Sequence, residues 1–70
     1  MNTSKAISVI YEIAQLQMGA EDARKTVAGV LMSVLTELEA QKAPASEDNI
    51  AKALTFLAEK FVTAAKRHAA

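Results

Sequence analysis

The amino-acid sequence predicts an all-α fold, a three-helix bundle or hairpin-type helical bundle whose core is completed by homodimerisation. Three observations carry this expectation. Fifteen alanines stand against two glycines and one proline, and alanine is the strongest helix former. Apolar residues recur at helical spacing, as Ile50, Leu54, Leu57 and Phe61 do at 4-3-4 intervals. Breaks in the pattern fall at Gly19 and at Ala43-Pro44-Ala45, dividing the chain into three stretches. No repeat, low-complexity tract or linker intervenes, so residues 1–70 read as a single domain.

The first helix is expected over about residues 4–18, with Asn2, Thr3 or Ser4 as its N-cap and Gly19 as a left-handed terminator. The second is expected over about 20–42. Glu21 and Asp22 complement the positive end of its dipole, and Glu21 and Lys25 have the spacing of a favourable i, i+4 pair. Pro44 disfavours helical geometry at the residue before it, which ends the second helix. Ser46 then caps the third, expected over about 46–69, with Glu47 and Asp48 in its first turn.

Residues 7–13 also carry the alternation of a strand, Ile7, Val9, Tyr11 and Ile13 against Ser8, Ile10 and Glu12. A strand followed by two helices implies a ribbon-helix-helix dimer that binds DNA. Against this, the segment has no Lys or Arg to meet phosphates, and the helix after it is too long.

Length makes self-association attractive. A 70-residue chain buries only about 60% of its unfolded surface, and small domains usually gain support from disulfides, metal or oligomerisation. There is no cysteine, which removes disulfides and any thiolate zinc site. The apolar arcs are also wide. Val27, Val30, Leu31, Met32, Val34, Leu35 and Leu38 cover roughly 200° of the second helix, against about 100° for a helix with one neighbour. Ile7, Val9, Ile10, Tyr11, Ile13, Leu16 and Met18 spread as widely on the first. A three-helix monomer satisfies one such helix, placed centrally, and struggles with two. The oligomer interface is therefore expected on Ile10, Ile13, Val30, Val34 and Leu38.

Charge and composition exclude several functions. Eight basic and eight acidic side chains cancel, so no overall field recruits nucleic acid or a membrane. The longest apolar run, Val27 to Leu35, falls far short of the ~20 residues that span a bilayer. Nothing resembles a signal peptide, and a cytoplasmic protein is expected.

Catalytic signals are equally thin. His68 is the sole histidine and has no carboxylate three or four residues away, so a metal site is not expected. It is placed to interact with the C-terminal carbonyls of the third helix. Of the carboxylate pairs, Glu21/Asp22 and Glu47/Asp48 suit helix starts. Glu37 and Glu39 lie near a helix end that opposes their charge, which makes them candidates for a partner contact. Gly19 and Gly29 match no nucleotide-binding fingerprint. No cofactor and no enzymatic activity are expected. Gly29 permits a close helix crossing or is neutral surface. A helix-turn-helix centred on it fails, because Lys25 replaces the small residue four positions earlier and the apolar period runs through without a break.

The third helix carries the most specific feature. Phe56 points away from the Ile50–Phe61 stripe, and Lys52, Phe56, Lys60, Thr63 and Arg67 follow 4-4-3-4 spacing along one line. An aromatic among charges invites a partner. The sequence thus predicts a small non-catalytic protein–protein interaction module, an adaptor, regulatory subunit or inhibitor acting as a homo-oligomer, with these five residues as its partner-binding face. The alternative is a nucleic-acid-binding regulator using the same basic face, or an N-terminal ribbon.

Overall fold

The computed structural model describes residues 1–69, and the final residue of the expected domain, Ala70, lies outside them. The chain forms three α-helices, α1 (Thr3–Met18), α2 (Ala20–Ala40) and α3 (Glu47–Ala69). Residues 7–13 lie within α1, so the alternative strand and its ribbon do not form. Alternation of period two was accidental there: Ala6, Ile10 and Ala14, at helical spacing, are the positions that become buried.

Capping chemistry fixes the ends. Among the three candidate caps, Asn2 is the one used, its Oδ1 accepting from the Lys5 amide at 2.8 Å. Gly19 alone joins α1 to α2, donating to the Gln15 carbonyl and accepting from the Ala23 amide. Its φ of 86° is positive as expected, but ψ is 165°, an extended mirror-image conformation instead of the left-handed helical one. Two successive helices are thereby turned about one residue.

α2 stops two residues earlier than expected. The Lys42 amide donates to the Glu39 carbonyl and the Ala43 amide to the Leu38 carbonyl, the paired bonds of a Schellman motif. Lys42 sits at its left-handed position with φ 57°. Pro44 reinforces a stop that the backbone has already made, and the Asn49 side-chain amide donates to the Pro44 carbonyl at 2.9 Å. Ser46 caps α3 as expected, its hydroxyl accepting from the Asn49 amide at 3.2 Å. The Glu21–Lys25 pair forms at 3.9 Å between well-exposed groups, so it contributes little.

All three helices share one core. Ala6 and Ile10 of α1, Val34 and Leu38 of α2, and Leu54 and Ala58 of α3 pack together, with Ile10 and Leu54 its largest fully buried side chains. The N-terminal half of α1 thus meets the C-terminal half of α2, so the pair is antiparallel. α1 runs parallel to α3: the Thr55 hydroxyl donates to the Met1 carbonyl at 3.1 Å, and Ile13 and Gln17 lie beside Phe61 and Ala64. α1 contacts both neighbours extensively, whereas α2 and α3 touch each other least.

That central placement gives the residues of the expected self-association face a role within the single chain. Ile10, Val34 and Leu38 are only 1, 3 and 8% exposed within a single chain. Ile13 and Val30 are half-buried, with Val30 packed on the same core. These residues are used internally because α1, lying between the other two helices, takes up apolar surface from both. The α1 arc finds two neighbours except at its C-terminal end, where Leu16 and Met18 remain 89 and 40% exposed; on α2, Met32 and Leu35 remain 65 and 43% exposed. Among the described residues, no helix is long and apolar enough to cross a membrane.

Candidate functional site

Weak contact between α2 and α3 opens a cleft of about 560 Å³ beside the loop that joins them. Val34 and Leu38 of α2 and Ala53 and Leu57 of α3 form its apolar floor. Its rims are polar and differ in charge. On the α2 rim stand Ser33, Glu37 and Gln41; on the α3 rim stand Asn49, Lys52 and Phe56. The floor belongs to the core, so its position is set by the bundle. The rims project because each helix presents its next face, about 100° round, towards solvent.

Phe56 is the conspicuous member. It is 60% exposed, although it lies two residues from Leu54, which is fully buried. The Lys60 ammonium lies 4.8 Å from the Phe56 ring centroid, a cation–π contact worth roughly 0.5–1 kcal/mol at an exposed site. That contact holds the ring along its own helix.

The five residues of the expected partner-binding stripe are all exposed, but the fold divides them. Lys52 and Phe56 border the cleft. Lys60, Thr63 and Arg67 continue up α3 with Ala64 and His68 around a depression that belongs to α3 alone. Besides the Phe56–Lys60 pair, two of the five have polar partners within the helix. The Lys52 ammonium pairs with Asp48 at 3.0 Å, and the Thr63 hydroxyl donates to the Glu59 carbonyl at 3.0 Å. The positive stripe is therefore weaker than its sequence suggests, with Lys60 and Arg67 its strongest remaining charges.

Glu37, singled out as a possible partner contact, does line the cleft, its Oε1 accepting from the Gln41 side-chain amide at 2.8 Å. Glu39 is exposed but does not line it. Ser33, Gln41, Ala53 and Leu57 were not assigned to a binding face from the sequence. The i, i+4 series Ser33–Glu37–Gln41 was the signal for the α2 rim, but nothing in one helix states which neighbour it borders.

Gly29 makes no close crossing: a Cβ there would meet nothing within 4 Å. His68 is exposed in the last turn of α3 alongside Lys66 and Arg67, where positive charge complements the helix dipole. Among the described residues no three His, Cys, Asp or Glu side chains gather in a way that holds a metal ion. In comparisons with known proteins, the chain matches no family model, and no similar curated protein or solved structure was found.

Proposed function

We propose that this chain is a small, non-catalytic protein–protein interaction module that recognises another polypeptide through the α2–α3 cleft and its Phe56 rim. The observation that carries this reading is a 60% exposed phenylalanine at the edge of an apolar cleft on a rigid helix. Aromatic anchors beside apolar pockets dominate protein interfaces. Covering the exposed part of the ring removes roughly 100 Å² of apolar surface, which is worth about 2–3 kcal/mol. Lys52 and Glu37, on opposite rims, add orientation more than affinity. An adaptor, regulatory subunit or inhibitor works in this way, by steric and electrostatic contact alone.

A nucleic-acid-binding regulator is the competing reading, since Phe56, Lys60 and Arg67 offer a ring and two cations on one line. Overall neutrality and the Asp48 partner of Lys52 weigh against it, because nucleic-acid affinity scales with phosphates neutralised.

A photoreactive phenylalanine analogue at position 56 tests both, with the same analogue at the exposed α1 residue Glu12 as control. Discrete protein adducts from position 56 and none from position 12 are expected after irradiation in cells. Adducts to nucleic acid alone, joined by salt-sensitive oligonucleotide binding in vitro, favour the competing reading. Identical adducts from both positions remove the cleft as a site.

A further inference from the structure

We infer that the occupant of the cleft is a second copy of this chain, seated about a two-fold axis that runs along the cleft and stacks α2 of each copy on α3 of the other. The inference rests on the interaction reading above and names its partner. Exposed area is the first argument. A monomer of 7.5 kDa is expected to expose about 4,250 Å², whereas this chain exposes 4849 Å², an excess of roughly 600 Å². A standard interface covers about 800 Å² on each partner. The surplus is roughly three-quarters of that share, and Phe56 at the cleft rim contributes to it, as Leu16 and Met18 on α1 also do.

Charge supplies the second argument and chooses the geometry. Two two-fold arrangements bring cleft onto cleft. With the axis across the cleft, α2 lies on α2 and α3 on α3, so the acidic rim packs on an acidic rim and the lysine rim on a lysine rim. With the axis along the cleft, the α2 rim meets the partner's α3 rim. Levels then match. Glu37 is three residues from the end of α2 and Lys52 five from the start of α3, roughly 4.5 and 7.5 Å along the two axes from the connecting loop. Ser33 and Phe56 are seven and nine residues along, roughly 10.5 and 13.5 Å. Glu37 therefore faces the partner's Lys52, and Phe56 lies over the partner's Ser33, a small side chain with room for the ring beside it. An isologous interface repeats each contact twice.

The assembly has a recognisable build. α2 and α3 are antiparallel across their short loop, and the axis along the cleft also sets each antiparallel to the partner helix it stacks on, with the two copies of each helix parallel across the diagonal. Four antiparallel helices then surround one apolar seam, with α1 of each chain on the outside, an ordinary solution for a helical core. The formal charge of zero removes long-range repulsion between copies.

The test is sedimentation equilibrium on the purified full chain from low micromolar to millimolar concentration, with circular dichroism confirming the fold of every variant. Wild type is expected to move from 7.5 kDa to about twice that mass. Phe56→Ala is expected to weaken association at least tenfold with helix content unchanged. Glu37→Lys and Lys52→Glu are each expected to weaken it, and the double variant to recover it. Leu16→Ala, at a residue 89% exposed on α1, is expected to change nothing. A chain that stays monomeric throughout overturns the inference, and if position 56 still cross-links to a different protein, the interaction reading survives it. A dimer indifferent to Phe56→Ala, or equally weakened by Leu16→Ala, overturns it too. Failure of the double variant to recover overturns the stacking of α2 on α3.

Discussion

Gly29 and Gly19 place opposite demands on the same residue type. Gly29 lies in the middle of α2, exposed, with nothing within 4 Å of where a Cβ would stand. It contributes no contact and loses extra backbone entropy on folding. Gly29→Ala is therefore expected to stabilise the chain by about 0.5–1 kcal/mol, a rise in Tm of several degrees for a domain this size. Gly19 also has open space, yet φ is 86° and ψ 165°, a region that residues with a Cβ rarely enter. Gly19→Ala is expected to cost about 1–3 kcal/mol for backbone reasons alone. Thermal melts of the two variants check this pair. Equal Tm values would mean that the turn between α1 and α2 rearranges freely, and the reading of Gly19 would be wrong.

At the scale of elements, the second connection carries strain that the first avoids. Lys42 occupies the left-handed position of the α2 stop with φ 57°, where a side chain costs about 1–2 kcal/mol and glycine is favoured. The Lys42 and Ala43 amides satisfy the carbonyls of Glu39 and Leu38, so the motif holds despite that cost. Lys42→Gly is expected to raise stability by about 1 kcal/mol less the extra unfolded-state entropy of glycine, whereas Ser46→Ala, which removes the α3 cap, is expected to lower it by about 1 kcal/mol. Urea titrations with unchanged m-values measure both shifts; a destabilised Lys42→Gly would show that the lysine side chain is itself needed there. These two residues mark what the sequence makes legible. Ser46 precedes two acids and an apolar period, so its role follows from local chemistry. Lys42 carries no such signal, because a backbone motif closed by amides is open to many residue types, and the end of α2 was accordingly placed two residues late. The Ile50–Phe61 stripe and the outward turn of Phe56 were legible because helical geometry alone decides them. Which neighbour received each apolar arc was not. Periodicity gives the width of a face, and only packing decides that α1 lies centrally and draws Ile10, Val34 and Leu38 inside.

For the whole molecule, the positions that build the bundle and those that border its cleft are adjacent in sequence but energetically separate. Leu54 is fully buried where the three helices meet, and Leu→Ala in a core costs about 2–5 kcal/mol. A domain of this length has roughly 3.5–10 kcal/mol of total stability, so Leu54→Ala is expected to leave a substantial unfolded population at physiological temperature. Phe56, two residues beyond, contributes little to the monomer: its ring is mostly in water and the Lys60 ammonium of its own helix lies over it. In dilute solution Phe56→Ala is thus expected to melt within about 0.5 kcal/mol of wild type. Raising concentration separates the two. If copies join through the cleft, association stabilises the folded state by mass action, and wild-type Tm climbs with concentration while that of Phe56→Ala stays nearly flat. Melting curves across a thousandfold concentration range read this directly, and a wild-type Tm that does not move would rule out self-association through the cleft.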